Sequence, residues 1–215
     1  MLCTRKGTVK KTELTAFSNP RAGGIIAMGV EDGDSVIAVQ VTNGSSEIVI
    51  GTRDGMAIRF PEDDVRAMGR TAYGVRGISL RGEDYVVGME SVTPGGTILT
   101  VTEHGYGKRT EVTEYRVTSR GGLGVINIDT SERNGQVIGV AYVEPSDEIL
   151  LVTQGGMILR TPGDDIRMTG RAAQGVRLID IEDDDRVVGL ANLGKAVAEA
   201  AGGESGEGES GEGGA

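Results

Sequence analysis

The amino-acid sequence predicts an all-β, propeller-like fold of four blades, each of about 50 residues with four short strands. A hairpin motif recurs four times, and short β-branched runs lie between turn residues throughout the chain. Glycine supplies 36 of the 215 residues, about 17 %, against a usual share of about 7 %. Many regularly spaced glycines predict many tight turns, and therefore many short strands.

The hairpin motif defines the repeat. It reads TRKGTVKKT at 4–12, TRDGMAIRF at 52–60, TEHGYGKRT at 102–110 and TQGGMILRT at 153–161. Its glycines lie 48, 50 and 51 residues apart, and two further sets of small residues keep the same period. We therefore place the repeats at about 1–46, 47–95, 96–147 and 148–193. Each motif predicts a two-residue turn whose second residue, glycine, has a positive φ.

The strands can be assigned within one repeat. For the second we predict VIAVQV (36–41), EIVIGT (47–52), MAIRF (56–60) and VRGISL (75–80). The loop at 61–74 can hold one helical turn but is too short for a stable helix. A small residue interrupts each VIAV-type strand, which fits strands crowded around a central axis. WD40 propellers are disfavoured because the chain has no Trp, and a β-sandwich does not explain so strict a period.

The formal net charge of −10 argues, taken alone, against a nucleic-acid partner. Residues 194–215 carry five Glu and one Lys, however, so they supply −4 and leave about −6 for the body. We predict that this Gly/Glu-rich tail is disordered. Net charge does not report where the cations of the body stand.

The sequence offers little for catalysis. The single cysteine, Cys3, is predicted to be buried in a strand, and a chain with no disulfide fits a reducing, cytoplasmic setting. His104 is predicted to be a turn residue, since one His and one distant Cys cannot build a zinc site. No P-loop, signal peptide or membrane-length apolar run occurs. We predict no catalytic, cofactor-binding or metal-binding residue and no membrane partner.

Basic residues recur in three columns, one position per repeat. The first column is Lys11, Arg59, Arg109 and Arg160. The second, seven residues on, is Arg66, Arg116 and Arg167, and the third, four further on, is Arg70, Arg120 and Arg171, with Arg21 near that position in the first repeat. Lys10 and Lys108 precede the first column, and Arg76 and Arg177 form a matching pair in the following strand.

Two interpretations of these cations compete. A single loop arginine is most often solvated or paired with a nearby carboxylate, and Glu62, Asp63, Asp64, Asp164 and Asp165 lie close in sequence. Repeated columns on radially arranged blades would instead form an arc of cations along the rim. Such an arc suits duplex DNA, which carries one charge per about 1.7 Å of axis and is held through its phosphates by Arg and Lys. DNA on a curved rim must bend, at a cost of about 1–6 kcal/mol for a short site.

Several motifs, in order, resemble the C-terminal domain of the DNA gyrase A subunit. They are TRKGTVKKT, NPRAGGIIA, VRAMGRTAYGVRGI, EHGYGKRTEV and TSERNG, and the resemblance spans about residues 2–193. It implies a β-pinwheel, a propeller relative whose blades exchange a strand, with a rim that binds and wraps duplex DNA. The resemblance also implies a place in an ATP-dependent type II topoisomerase, an isomerase that introduces negative supercoils. Topoisomerase IV has related domains, but the full EHGYGKRT-type motif favours gyrase.

The resemblance further implies partners: the rest of gyrase A, and gyrase B, in a cytoplasmic A2B2 assembly. ATP and Mg²⁺ would be used through other domains or subunits. The family domain usually has six blades, and this chain matches the last four. It lacks the Gln-Arg-Arg-Gly-Gly-Lys-Gly box of the first blade and the domain with the catalytic tyrosine. Because Met1 begins within strand-like sequence, we expect a fragment with a raw sheet edge near Met1.

Two functions therefore stand. The first is a non-catalytic DNA-wrapping region, in which the acidic tail either competes with DNA for the basic rim or is an inert linker. The second is a propeller-like protein-interaction module whose arginines form structural ion pairs. A steep salt dependence of duplex binding would distinguish the first from the second.

Overall fold

The computed structural model describes residues 1–194. The tail predicted to be disordered lies, except for Gly194, outside the described residues. None of the helices in residues 1–194 has the length and apolar character needed to cross a membrane. The strands are β1 (Leu2–Thr4), β2 (Thr8–Lys10), β3 (Val36–Val39), β4 (Glu47–Thr52), β5 (Met56–Pro61), β6 (Val75–Arg76), β7 (Val86–Val92), β8 (Thr97–Thr102), β9 (Tyr106–Glu111), β10 (Val125–Ile126), β11 (Val137–Val143), β12 (Glu148–Thr153), β13 (Ile158–Pro162), β14 (Val176–Arg177) and β15 (Val187–Gly194).

These strands form four small antiparallel sheets, in the orders β3-β1-β2-β6, β10-β5-β4-β7, β11-β8-β9-β14 and β13-β12-β15. We call them units 1 to 4. The all-β, four-blade prediction is confirmed. Each of three hydrophobic cores lies between two successive units; the first joins Cys3 and Val9 of unit 1 to Ile48 and Phe60 of unit 2. Each unit therefore buries its apolar residues against its neighbours, as propeller blades do.

The fourth strand of units 1 to 3 comes from the following repeat. Val75 and Arg76 pair with Val9 and Thr8 of unit 1, and β10 and β14 add to units 2 and 3 in the same way. The prediction that residues 36–41 and 75–80 belong with β4 and β5 is therefore wrong, since β3 and β6 both lie in unit 1. A sequence period cannot show whether a strand pairs within its own repeat or with the one before it. The exchange implied by the resemblance is present.

The hairpin motif is explained by its turn. In each copy the glycine N–H donates to the threonine carbonyl three residues earlier, at 3.0–3.1 Å, and the glycine has φ between +79° and +90°. The glycine thus ends the turn and is not one of its two central residues, which corrects the predicted turn. In three copies the threonine Oγ1 also accepts the amide N–H four residues on, as Thr52 does from Met56 at 3.2 Å. The motif needs threonine first because this hydroxyl closes the hairpin.

Two other local predictions can be compared with the structure. The loop after β5 does hold one helical turn, the 3-10 helix Glu62–Asp64. The innermost strands pack in chain order, β3 on β7, β7 on β11 and β11 on β15. A Cβ added at Gly88 of β7 would lie 2.8 Å from a methyl carbon of Val140 on β11. A small residue at this position therefore lets neighbouring inner strands approach.

A free sheet edge does lie near Met1, because within residues 1–194 β3 pairs only with β1 and the Gln40 N–H donates to the Met1 carbonyl at 2.9 Å. Strand β1 is covered on both sides by β2 and β3, and Met1 is only 6 % exposed. Met1 therefore lies beside the edge strand β3, but its own strand is not the edge. The outermost strand of unit 4, β13, pairs only with β12, so unit 4 has a further open edge where no donated strand lies in the described chain.

Candidate nucleic-acid interface

The first column of cations joins successive units. Arg59 is 8 % exposed and donates from Nη1 to the carbonyls of Val112 and Tyr115, at 2.7 and 3.0 Å, in the turn after β9 of unit 3. Its Nε donates to Glu47 Oε2 at 2.8 Å, which neutralises its charge. Buried and paired, Arg59 holds two units together and has little surface to offer a ligand.

Lys11 and Arg109 repeat this arrangement. Arg109 Nη1 donates to Asp164 Oδ1 at 2.9 Å, and its Nε donates to the Ile166 carbonyl at 3.0 Å, both in the turn after β13 of unit 4. Lys11 Nζ lies 3.6 Å from Glu62 and 3.5 Å from Asp63, in the turn after β5 of unit 2. The cations of this column in units 1 to 3 thus bind the turn after the outer hairpin strand of the next unit, and Lys11 and Arg109 pair with acidic residues there.

Arg160 is the exception in the first column. Its side chain is 42 % exposed and bonds to Glu148 on the neighbouring strand of its own unit. It has no partner in another unit among residues 1–194, although the equivalent cations of units 1 to 3 all have one.

The second column is exposed and uncompensated. Arg66, Arg116 and Arg167 each stand just after the turn helix of a successive unit, all three exposed. Within the part of the chain that the structure describes, none of their guanidiniums has an ion-pair or hydrogen-bond partner. These three arginines therefore keep their full charge and all five N–H donors available to solvent or a ligand.

The third column is half-buried but keeps its charge. Each guanidinium donates to a backbone carbonyl at the equivalent position of the preceding repeat: Arg70 to Ile26 at 2.7 Å, Arg120 to Arg76 at 3.0 Å, and Arg171 to Ile126. A carbonyl fixes the side chain without neutralising it. The third column thus supplies oriented, uncompensated cations.

Lys10 and Lys108 are fully buried. Lys108 Nζ donates to Thr110 Oγ1 at 2.7 Å and to the Arg171 carbonyl at 2.9 Å, and Lys10 Nζ donates to the Ala27 carbonyl at 2.6 Å and to that of Arg70. Burial, with Arg171 nearby, lowers the pKa of Lys108 to about 8, and burial and Arg70 lower the pKa of Lys10. Both lysines bind the loops that carry the third column.

The remaining candidates lie on exposed loops and edges. Arg21 and Arg76 are exposed and have no side-chain partner within residues 1–194. Arg177 pairs with Asp180 at 2.6 Å and donates to the Tyr106 hydroxyl at 3.1 Å. That hydrogen bond lowers the pKa of the half-buried Tyr106.

Sequence reasoning missed a second set of cations, which stack on tyrosines. The Arg5 guanidinium lies 3.4 Å from the centre of the Tyr85 ring, with Arg53 at 5.6 Å, and Arg133 lies 4.3 Å from that of Tyr106. Arg5 and Arg53 share the second position of the hairpin motif, and that shared position was the signal that could have found them. They place further cations close to the hairpin tips.

No metal or nucleophile site is apparent within residues 1–194. No three His, Cys, Asp or Glu side chains in that range are placed to hold an ion. Cys3 is fully buried, and burial raises the pKa of its thiol to about 12. His104 contacts the Glu132 and Arg133 carbonyls through Nδ1, at 3.1 and 3.2 Å. Tyr115 is also buried, with its hydroxyl on Asn127.

Comparison with known proteins gives a consistent result. The family described as DNA gyrase C-terminal domain, beta-propeller, matches residues 1–43, 46–93, 96–144 and 147–193. The DNA gyrase A subunit of Salmonella typhimurium is 49 % identical over 196 residues, which cover 91 % of this chain and 22 % of that protein. The chain thus spans about a fifth of the length of this curated relative.

Solved structures agree with the sequence relatives. The C-terminal domain of DNA topoisomerase IV superposes with a TM-score of 0.85 at 28 % identity, covering 95 % of this chain and 66 % of that one. A DNA gyrase A C-terminal domain gives a TM-score of 0.80 at 29 % identity, covering 89 % and 64 %.

Proposed function

Because the chain belongs to the DNA gyrase C-terminal domain, beta-propeller family, we propose that it binds and wraps duplex DNA. It does so as a non-catalytic C-terminal region of gyrase A. The observation that carries this proposal is the second column: three exposed arginines at the same position of successive units, with no partner among residues 1–194. A periodic row of free guanidiniums fits a ligand whose charges are also periodic.

The three columns take different parts in this function. Arg66, Arg116 and Arg167 make the phosphate contacts, since their planar forks suit phosphate oxygens. Arg70, Arg120 and Arg171 add charge from fixed positions, and Arg21 and Arg76 extend the row. Lys11, Arg59, Arg109 and the two buried lysines act indirectly, because they hold the loops on which the other arginines stand.

The wider assembly belongs to the same proposal. Within gyrase, wrapping of DNA by this region would serve an ATP-dependent type II topoisomerase that introduces negative supercoils. Gyrase B and the remainder of gyrase A would be its partners in an A2B2 complex in the cytoplasm. ATP and Mg²⁺ would then be bound by other domains or subunits, and this region would contribute only DNA contacts.

A propeller-like protein-interaction module is the second candidate. The first column favours it, because Arg59 and Arg109 form the structural ion pairs that this interpretation expects. It gives no reason for three exposed, unpaired arginines in a row.

Salt dependence of duplex binding separates the two candidates. The logarithm of the binding constant should fall linearly with the logarithm of salt concentration, with a slope of about −0.9 per phosphate neutralised. Replacing Arg66, Arg116 and Arg167 with alanine should flatten that slope by about 2.7, since three contacts are lost. A matched triple variant at Lys6, Arg81 and Arg186 removes the same charge outside the columns. No duplex binding at low salt, or equal flattening by both variants, would favour the second candidate.

A further inference from the structure

The sequence contains two Asn-Gly pairs, Asn43-Gly44 and Asn134-Gly135. In such a pair the backbone nitrogen of glycine can attack the side-chain carboxamide of asparagine, because glycine has no side chain to hinder the approach. The two pairs share the same reacting groups but lie in different surroundings. They therefore allow the effect of the fold on this reaction to be compared within one chain.

Asn43 lies in the loop that connects β3 to β4. Its Oδ1 accepts three hydrogen bonds, from the Ser45 N–H at 3.0 Å, the Ser45 hydroxyl at 3.1 Å and the Ser46 hydroxyl at 3.0 Å. The first of these closes an Asx-turn, which holds the carboxamide beside the Gly44 nitrogen. The three donors stabilise negative charge on Oδ1, as the donors of an oxyanion hole do. The Asn43 Nδ2 has no hydrogen-bond partner within residues 1–194 and is free to leave.

A buried carboxylate contacts the attacking group. The Gly44 N–H donates to Glu62 Oε1 at 2.8 Å, and Glu62 is only 1 % exposed. Burial raises the pKa of Glu62, but hydrogen bonds from Thr42 and Ser46 and the nearby charge of Lys11 lower that pKa overall, so Glu62 is ionised. The proton that Gly44 must lose when its nitrogen attacks therefore already lies on a carboxylate that can accept it.

The loop is open to water because of its place in the fold. Asn43, Gly44 and Ser45 are exposed, and Ser46 is buried. The loops that connect units 2 and 3 (93–96) and units 3 and 4 (144–147) show the same sequence of three exposed residues and one buried residue. Exposure at this position is thus a property of every connection between units in the described chain.

Asn134 has the opposite environment. It is 0 % exposed, and its Nδ2 donates to two backbone carbonyls, at 2.6 and 2.8 Å. Its Oδ1 has no hydrogen-bond partner in the part of the chain that the structure describes. The Gly135 N–H donates to the Ser131 carbonyl at 3.0 Å, and a backbone carbonyl is not a base. The fold therefore holds the leaving nitrogen of Asn134 in place and gives no stabilisation to charge on its oxygen.

We propose that Asn43 is a site of intramolecular deamidation that the fold promotes. The Gly44 nitrogen forms a bond to Asn43 Cγ while its proton passes to Glu62. The bond between Cγ and Nδ2 then breaks, and Nδ2 leaves as ammonia with the proton returned by Glu62. Water opens the resulting cyclic imide at either carbonyl, which leaves aspartate or isoaspartate. In total, one water is consumed, one ammonia is released, and the amide is replaced by a carboxylate.

The reaction changes the junction between units 1 and 2, and it does not depend on DNA binding. Either product places a new negative charge near Glu62, which Lys11 of the first column approaches at 3.6 Å. The isoaspartate product also lengthens the backbone between β3 and β4, because the side-chain methylene becomes part of the main chain. Deamidation therefore alters a contact that holds two units together.

Peptide mapping by mass spectrometry, after incubation of the intact chain at neutral pH, tests the proposal. In urea the two Asn-Gly pairs should react at similar rates, since only the local sequence then acts. In native buffer Asn43 should react at least about tenfold faster than Asn134, and faster than it does itself in urea. Glu62→Gln should slow the native reaction at Asn43 by at least about tenfold, because the base is lost. Glu83→Gln, at an exposed residue outside this loop, should leave the rate unchanged.

A second variant covers the case in which Glu62→Gln does not fold. Ser46→Ala removes one hydroxyl donor to Asn43 Oδ1 and keeps the Ser46 N–H that binds Glu62, so it should also slow the reaction. Three results would each overturn the proposal: slower reaction of Asn43 in native buffer than in urea, equal native rates at Asn43 and Asn134, or a native rate that Ser46→Ala does not change.

Discussion

Replacement of Arg59 and of Arg160 by methionine compares one motif position in two environments. Arg59→Met removes two hydrogen bonds to carbonyls of the next unit and leaves Glu47 without its partner. Loss of one member of a buried pair costs about 3–5 kcal/mol. The Glu47 side chain is 25 % exposed and can be partly hydrated, so we expect Arg59→Met to lower the free energy of unfolding by about 2–4 kcal/mol.

Arg160→Met is the matched control. Its ion pair with Glu148 is within one unit and 42 % exposed on the arginine side, so its loss should cost about 0–1 kcal/mol. Urea unfolding followed by far-UV circular dichroism measures the free energy of unfolding of both variants. With an m-value of about 2–3 kcal/mol/M, Arg59→Met should lower the midpoint by about 1 M and Arg160→Met by much less. Equal midpoint shifts for the two variants would refute the role assigned to contacts between units.

Two further predictions concern titration and packing. Burial raises the pKa of Glu90 to about 7, so its contribution to stability is complete below about pH 4.5 and is lost as pH rises through 7. The free energy of unfolding of Glu90→Gln, measured in thermal or urea unfolding, should equal that of the unmodified chain near pH 4 and exceed it by about 1–3 kcal/mol at pH 8. A difference that stays constant between pH 4 and pH 8 would contradict the raised pKa of Glu90. Gly55→Ala should destabilise more than Gly156→Ala by at least about 1 kcal/mol, because both have positive φ but only Gly55 faces a carbonyl, 2.5 Å away. Equal losses would show that backbone strain alone decides.

The sequence predicted the fold class because its signals are local and repeated. Turn glycines, β-branched runs and a fixed period all point to short-stranded blades. The spacing of the repeats is the same whether a strand pairs within its own repeat or with the preceding one, so the sequence assigns residues 75–80 to the wrong sheet. A period shows which positions are equivalent, but not which sheet a strand joins.

The candidate interface was predicted less completely. Equivalent positions in the columns were correctly aligned, but alignment could not show that Arg59 is buried while Arg66 is free. Arg59 and Arg160 share a motif position and differ in whether another unit of the described chain follows. The stacking of Arg5 on Tyr85 depends on residues 80 positions apart, so it became visible only in three dimensions.

The donated strands also determine how the arc responds to tension. A pull on the loop that bears Arg66 is transmitted by β6 into unit 1 and by β5 into unit 2. Resistance then comes from backbone hydrogen bonds in two sheets, as well as from the side chains at their boundary. Because donated strands connect units 1 to 3, a stiff ligand bent along the rim would exert its force on all of these units together. Unit 4 has no donated strand on its outer side within residues 1–194, so it should be the first unit to deform.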